Sequence, residues 1–392
     1  MIPLFNLSKI PKIYFGMGKF TALEGIIKNI GERILIITGA KSFFHSPQWP
    51  LLKKICEHNS VEYFHCTVVD EPSPEFIDAT VDQYRDKQID GVLAIGGGSV
   101  MDAGKAISAM LLQTRSVRDY LEGVGKGIEH DGRKVPFIAV PTTAGTGGEA
   151  TKNAVLGNVG IEGFKCSLRH ANFIPDIAVI DPGLALCCPV PVTVACGMDA
   201  FTQLLESYVS PQATPLTDAL AFSGLEQMHN SFVPVCTTAS DNIEHRTAMA
   251  YAALMSGITL AHAGLGLVHG FASSVSSFFA IPHGVICGTL LAEVTRSNIH
   301  ALKHSSNNSE VLNKYATVGK LFTNSDDQDE NLNTLISTLD TWTAKLNIPL
   351  LSDYGVKITD IEKICLSTSH KNNPIALEQD EMGAILAKRM KT

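Results

Sequence analysis

Two histidines stand in a stretch almost free of charge, Gly264-Leu265-Gly266-Leu267-Val268-His269-Gly270-Phe271-Ala272, which runs on to Ile281-Pro282-His283-Gly284. Neutral imidazole is the commonest protein ligand for metal ions, and an apolar surround restricts water and sharpens an ion's field. Earlier in the chain, Gly197-Met198-Asp199-Ala200-Phe201-Thr202-Gln203 carries Asp199 and Gln203 one helical turn apart, so both project from one face. One carboxylate and two imidazoles are the smallest set that holds a metal and leaves positions open for chemistry. The alternative is a pair of buried histidines with satisfied hydrogen bonds, and the residue types leave both readings open.

A second chemistry sits at Gly96-Gly97-Gly98-Ser99-Val100-Met101-Asp102-Ala103-Gly104-Lys105, directly after the apolar run Leu93-Ala94-Ile95. Three glycines let a backbone approach a diphosphate, and a following helix aims free N–H groups at the anion. The pattern is neither G-x-G-x-x-G nor a Walker motif; a tight strand-to-helix turn explains one or two of its glycines, and a ligand loop explains all three with Ser99. Pro141-Thr142-Thr143-Ala144-Gly145-Thr146-Gly147-Gly148-Glu149 also follows a strand-like run and offers hydroxyls that suit a nucleotide's polar groups or any capped turn. Two such loops at the carboxyl ends of neighbouring strands converge on one crevice.

These residues need elements to carry them. Residues 13–16, 33–39, 61–69, 91–95, 135–140 and 177–180 read as strands, and 20–30, 51–58, 76–87 and 102–112 as helices between them. The β-branched run at 33–39 marks a strand covered on both faces, so the first half is expected to be an α/β domain with a doubly wound parallel sheet. After Asp181-Pro182-Gly183 the periodicity becomes helical, at 216–228, 246–261, 311–321 and 332–346. Thr214-Pro215 reads as an N-cap and first helical residue, with Asp218 in the first turn. The polar stretches 304–309 and 324–331 read as loops. The expected division is an α/β domain over residues 1–182 and an all-α domain over 183–392.

A chain of 392 residues with 45% hydrophobic and 18% charged residues is a packed globular protein large enough for two domains. Its formal net charge of −8 argues against a nucleic-acid or anionic-membrane surface. The nine scattered cysteines lack any C-x-x-C pair and read as reduced thiols, which points to the cytoplasm. Residues 1–9 lack the pattern of a signal peptide, and no apolar run is long enough to span a bilayer.

The combination of Gly96-Gly97-Gly98-Ser99-x-x-Asp102-x-x-Lys105, the 141–149 loop, Gly197-Met198-Asp199-Ala200, Val268-His269 and Pro282-His283-Gly284 resembles the iron-dependent (group III) alcohol dehydrogenases. The likeness runs from Phe15-Gly16-Met17-Gly18 to Asn372-Asn373-Pro374. It implies an NAD(P)-dependent, metal-assisted enzyme that interconverts a primary alcohol and its aldehyde, acting as a homodimer. In that resemblance Gly96, Gly97, Gly98 and Ser99 correspond to the pyrophosphate cradle with Asp102 close by, and Thr142, Thr143, Thr146 and Lys165 to further nucleotide contacts. Asp199, Gln203, His269 and His283 occupy the ligand positions for Fe2+ or Zn2+, with Asp199, His269 and His283 catalytic. The family pattern has one aspartate and three histidines; Gln203 replaces one histidine, and a neutral amide oxygen is the poorer ligand. Ser273 stands where the family often has a further histidine, and His262, seven residues before His269, is expected to serve packing or hydrogen bonding.

Maleylacetate reductases, glycerol dehydrogenases and dehydroquinate synthases share the architecture, but the 261–284 stretch has no Lys or Arg for the phosphorylated substrate of the last. A nucleotide-binding protein with impaired catalysis is the rival outside that class. Phe271, Phe278 and Phe279 fit either an apolar substrate wall or the core. A carboxylate at the end of a strand accepts from the ribose 2′-OH and repels a 2′-phosphate, and NAD-preferring members of the resembled family place an aspartate just after the strand at 34–38. Here Gly39-Ala40-Lys41-Ser42 follows, with a cation and a hydroxyl, so NADP(H) is expected over NAD(H), with Gly39, Lys41 and Ser42 at the cofactor.

Overall fold

Strand residues that are apolar on both sides have no face to give to water. The computed structural model, which describes residues 4–160, 163–306 and 308–391, buries both. Ile34 and Ile36 join Ile26, Leu52 and Ile55 in one core, whereas Leu35 and Ile37 join Ile77, Met101 and Ile107 in another. The strands are β1 (Lys12–Phe15), β2 (Arg33–Gly39), β3 (Glu62–Val68), β4 (Gly91–Gly96), β5 (Phe137–Pro141), β6 (Asn153–Asn158), β7 (Phe164–Arg169) and β8 (Ile177–Ile180). Six of them pair in parallel in the order β1-β8-β5-β4-β2-β3. Helices α1 (Leu23–Lys28) and α2 (Gln48–His58) line one face, and α3 (Pro74–Tyr84) and α4 (Gly98–Met110) the other. The doubly wound parallel sheet is as expected. Its direction of winding reverses between β2 and β4, and ligands enter such sheets at that point.

Several boundaries differ from the sequence reading. Residues 20–30 divide into a 3-10 turn, Lys19–Ala22, and α1. Helix α4 begins at Gly98 rather than 102, because glycines with weak helical preference hide a helix start. Strands β6 and β7, an antiparallel hairpin, lack the continuous apolar run that marks the central strands. Residues 328–331, read as loop, form the first turn of a helix, where Asp327 accepts from Glu330 N and Asp329 and Glu330 suit the N-terminal dipole. Met1, Ile2 and Pro3, with which the leader reading began, and Asn307 of the 304–309 loop lie outside the described residues.

From residue 190 onward the elements are helices, α5 (Val190–Val209), α6 (Pro215–Cys236), α7 (Ile243–Ala263), α8 (Leu267–Phe278), α9 (His283–Lys303), α10 (Ser309–Gly319), α11 (Gln328–Lys345), α12 (Ile361–Ser367) and α13 (Gln379–Ala387). Phe201, Leu204, Phe232, Phe271, Leu290 and Trp342 fill their shared core, which also takes in Ala178 and Ile180 of β8. Thr214 caps α6 through Thr217 N, followed by Pro215 and Asp218, as the sequence implies. Helices α7 and α8 meet at 96° across a break at Gly264, whose φ of 74° suits glycine. Among the described residues no single helix is long and apolar enough to cross a membrane.

The two halves touch through bare backbone. A Cβ on Gly257 of α7 would lie 2.1 Å from the Gly147 carbonyl oxygen, and one on Gly147 would lie 2.4 Å from Gly257 N. Only paired glycines allow that approach, which seats the 141–149 loop directly on the helical half.

Candidate active site

Helix α5 presents Asp199, Gln203 and Glu206 on one buried face, at successive turns. Asp199 Oδ1 lies 3.2 Å from His269 Nε2 and 3.7 Å from His283 Nε2. Gln203 turns its amide N–H toward Asp199 Oδ2 at 3.3 Å, and its carbonyl oxygen accepts from Ser256 Oγ at 3.0 Å. It therefore orients the carboxylate, and its oxygen is already engaged elsewhere. Cys287 Sγ lies 3.7 Å from His269 Nε2, and the donor atoms of Asp199, His269, His283 and Cys287 all fall within 4.8 Å of one another.

The sequence reading passed over Glu206. Its Oε2 lies 2.7 Å from His269 Nδ1, and its Oε1 accepts from Val268 N at 2.7 Å. One carboxylate thus closes the first turn of α8 and fixes the ring that this turn carries. Gly266 makes room for it, since a Cβ there would lie 3.0 Å from Glu206 Oε1. The signal was present as the i+7 position from Asp199. Cys287 carried a similar one, at i+4 from His283.

Burial opposes a charge on Asp199, but His283 and His269 hold its carboxyl below the usual range. Burial likewise opposes a charged His269, yet Cys287, Glu206 and Asp199 keep its pKa well above the ordinary value. His283 is pushed down by burial to about 3, against the pull of Asp199. Asp199 and Glu206 bring two carboxylates to the two imidazoles, a donor set that matches a divalent cation once the proton favoured on His269 leaves. A tetrahedral ion with bonds of ~2.0–2.1 Å separates its N and O ligands by roughly 3.3–3.4 Å, close to the 3.2 and 3.7 Å found. The residues fit such an ion.

Other expected residues lie as follows. His262 is engaged at both nitrogens, by the Ile258 carbonyl at 2.7 Å and by Ser8 Oγ at 2.9 Å. Phe271 is fully buried in the core, while Phe278 and Phe279 are half-buried, with Lys363 Nζ 3.9 Å from the centre of the Phe278 ring. Ser273 Oγ donates to the His269 carbonyl at 2.9 Å and receives Lys371 Nζ at 3.2 Å. A cation therefore reaches the 261–284 stretch from elsewhere in the chain.

On the sheet side, Gly39, Gly96 and Pro141 end three neighbouring strands at one edge. Thr142 N donates to the Gly96 carbonyl at 2.9 Å, joining the two loops. Gly97 has φ −83°, open to any residue, and a Cβ there would meet only Thr143 at 3.4 Å. Packing and dihedral do not explain this glycine, and the space beside it is open. Around Gly98, by contrast, Thr146 would stand 2.9 Å from a Cβ. Ser99, Asp102, Thr142, Thr143 and Thr146 are half-buried around this loop. Lys165, on β7, pairs with Glu71 at 2.7 Å. Gly39 closes β2, and Lys41 and Ser42 are exposed just beyond it.

Lys105 has no exposed surface, and its ammonium donates to the Gly148 carbonyl (3.0 Å), Thr151 Oγ1 (2.7 Å) and the Asn153 carbonyl (2.8 Å). It stitches α4 to the second loop. Burial pulls Lys105 below the usual lysine range against Asp102 and Glu149, raises Asp102 against Lys105, and lifts Glu149 to about 7. Replacing Lys105 with Met strands three acceptors, so urea unfolding should show a loss of about 3 kcal/mol, with weakened dinucleotide binding by fluorescence titration. Unchanged stability would mean that the stitch is dispensable.

Residues 11–182 match the family model "Iron-containing alcohol dehydrogenase", and residues 193–390 match its C-terminal counterpart, "Fe-containing alcohol dehydrogenase family, C-terminal". Alcohol dehydrogenase 4 of Saccharomyces cerevisiae is 30% identical over 392 residues, covering 97% of each chain. An NAD-dependent methanol dehydrogenase of Bacillus methanolicus is 31% identical over 296 residues, covering 74% of this chain and 75% of its own. The crystal structure of a 1,3-propanediol oxidoreductase superposes with a TM-score of 0.88 at 26% identity, covering 99% of this chain and 100% of that one. With sheet and helical bundle each matched in order and one relative aligned almost end to end, the chain belongs to the iron-containing alcohol dehydrogenase family.

Proposed function

We propose that this enzyme, an alcohol dehydrogenase by family, passes hydride between a nicotinamide dinucleotide and a primary alcohol or its aldehyde. The observation that carries the reading is the cluster of buried Asp199 and His269 with half-buried His283, joined to the 141–149 loop by Ser256, whose hydroxyl lies 3.0 Å from Gln203 Oε1 and 3.4 Å from the Gly145 carbonyl. Residues 1–182 are then the dinucleotide-binding domain and 183–392 the metal-binding, catalytic one. Gly96, Gly97, Gly98 and Ser99 would cradle the pyrophosphate, with Asp102, Thr142, Thr143, Thr146 and Lys165 around it. Asp199, His269 and His283 would hold Fe2+ or Zn2+, with Gln203 steadying Asp199. When bound, the ion polarises the substrate oxygen and the nicotinamide takes or gives the hydride. Glu206 fixes the tautomer of His269, and the apolar bundle keeps water away.

Chelator-treated enzyme should lose turnover and regain it with Fe2+ or Zn2+. Glu206→Gln should weaken metal binding by on the order of 10- to 100-fold. Full activity in metal-free protein, verified by elemental analysis, would end the metal-assisted reading.

We further infer a preference for NADP(H) over NAD(H). A Cβ on Gly39 would meet only Val100, at 3.8 Å, so space remains beyond β2, and Lys41 and Ser42 stand exposed beside it. Gly39→Asp should shift kcat/KM toward NAD(H) by about tenfold through charge repulsion. A clear preference of the unmodified enzyme for NADH on one aldehyde would overturn this.

A homodimer is supported by Leu4, Phe5, Leu7 and Ile10, exposed apolar residues leading into the edge strand β1. Sedimentation should give twice the chain mass of 42.1 kDa, and a monomer would count against it. The nine cysteines are free thiols, which supports a reducing compartment such as the cytoplasm.

A further inference from the structure

Helix α9 starts at His283, and one turn later the same face carries Cys287, which has no exposed surface. The position of this face is fixed by backbone contact. A Cβ on Gly284 would lie 2.1 Å from the Ala195 carbonyl oxygen, and one on Gly288 would lie 3.0 Å from Met198 Cβ. The turn of α9 bearing His283 and Cys287 is therefore pressed onto the turn of α5 bearing Asp199. Cys287 Sγ faces His269 Nε2 at 3.7 Å, and it belongs to a group in which the donor atoms of Asp199, His269, His283 and Cys287 all lie within 4.8 Å of one another. With metal–sulfur bonds of ~2.3 Å and metal–nitrogen bonds of ~2.0–2.1 Å, a tetrahedral ion sets S and N about 3.5–3.6 Å apart. Meanwhile the Gln203 oxygen is occupied by Ser256.

Resting on the reading that an ion occupies this cluster, we propose that Cys287 is its fourth ligand. The set becomes one carboxylate, two imidazoles and one thiolate, and Gln203 acts behind it. Binding forms the sulfur–metal bond as the thiol proton leaves to solvent, with no change of oxidation state. A soft thiolate biases the site toward Zn2+ and Co2+ over Fe2+.

Metal-free protein titrated with Co2+ tests this. The unmodified enzyme should show visible d–d bands together with a near-ultraviolet thiolate-to-cobalt charge-transfer band. Cys287→Ser should keep the visible bands and lose the near-ultraviolet one, with the Co2+ dissociation constant raised on the order of 10- to 100-fold. Measured anaerobically, the selectivity for Zn2+ over Fe2+ should fall in the variant. Should Cys287→Ser not fold by circular dichroism, X-ray absorption of the unmodified zinc protein replaces it, with a Zn–S distance of ~2.3 Å expected. Visible bands without a thiolate band, a thiolate band that survives Cys287→Ser, unchanged selectivity, or zinc ligated only by N and O would each overturn the assignment while leaving the ion site standing. Failure of the unmodified protein to bind Co2+ or Zn2+ at all would remove the ion site itself, and this proposal with it.

Discussion

The carboxylate of Glu206 binds the start of one helix to the orientation of a ring. It leaves α5, caps α8 at Val268 N and holds His269 Nδ1, all in a core that excludes water. A charge buried there persists only when paired and hydrogen-bonded, and here its partners are a helix N-terminus and an imidazole. Because both oxygens are committed, α8 cannot slide along α5 without breaking two bonds at once. The 96° turn between α7 and α8 places the capped end against α5, and Gly266 lets the carboxylate reach it. The remaining contacts of the cluster depend on that registry.

The sheet side obeys a parallel constraint. Lys105 reaches from α4 into the backbone of the second loop, and that loop rests on α7 through Gly147 and Gly257. Ser256, on the same turn of α7, touches both the loop and Gln203. The chain from strand end to Asp199 is thus short and made of backbone and buried polar groups. Hydride transfer requires two carbons held in contact, and a seam whose polar side chains are buried and hydrogen-bonded is suited to hold them.

Much of this was legible in order of residues. The apolar run at 33–39 could only be a strand covered on both faces, and the glycines after 95 could only follow a strand into a turn or a ligand loop. Asp199, His269 and His283 stood out because charge is scarce around them. The β6–β7 hairpin did not, because its half-buried residues mix polar and apolar types without a long run. Helices α8 and α9 were obscured by glycines at 264, 266, 270, 284 and 288, which serve close packing and blur helical preference. Phe271 illustrates the limit of residue type, since the same aromatic spacing suits a pocket wall or the core, and it lies in the core.

Sequence by itself determined the parallel sheet, the two loops at its carboxyl edge, the helical second half and the residues that could meet an ion. These follow from local spacing, because period and turn chemistry act over a few neighbours. Only tertiary structure decided which of those residues share partners. Gln203 gives its oxygen to a serine on another helix, Glu206 supports a histidine on a third, and Cys287 faces that same histidine from a fourth. Lys371 reaches Ser273 across nearly a hundred positions of the chain. Such pairings depend on how helices cross and how closely glycines let them approach, and neither quantity is written in the spacing of any one segment.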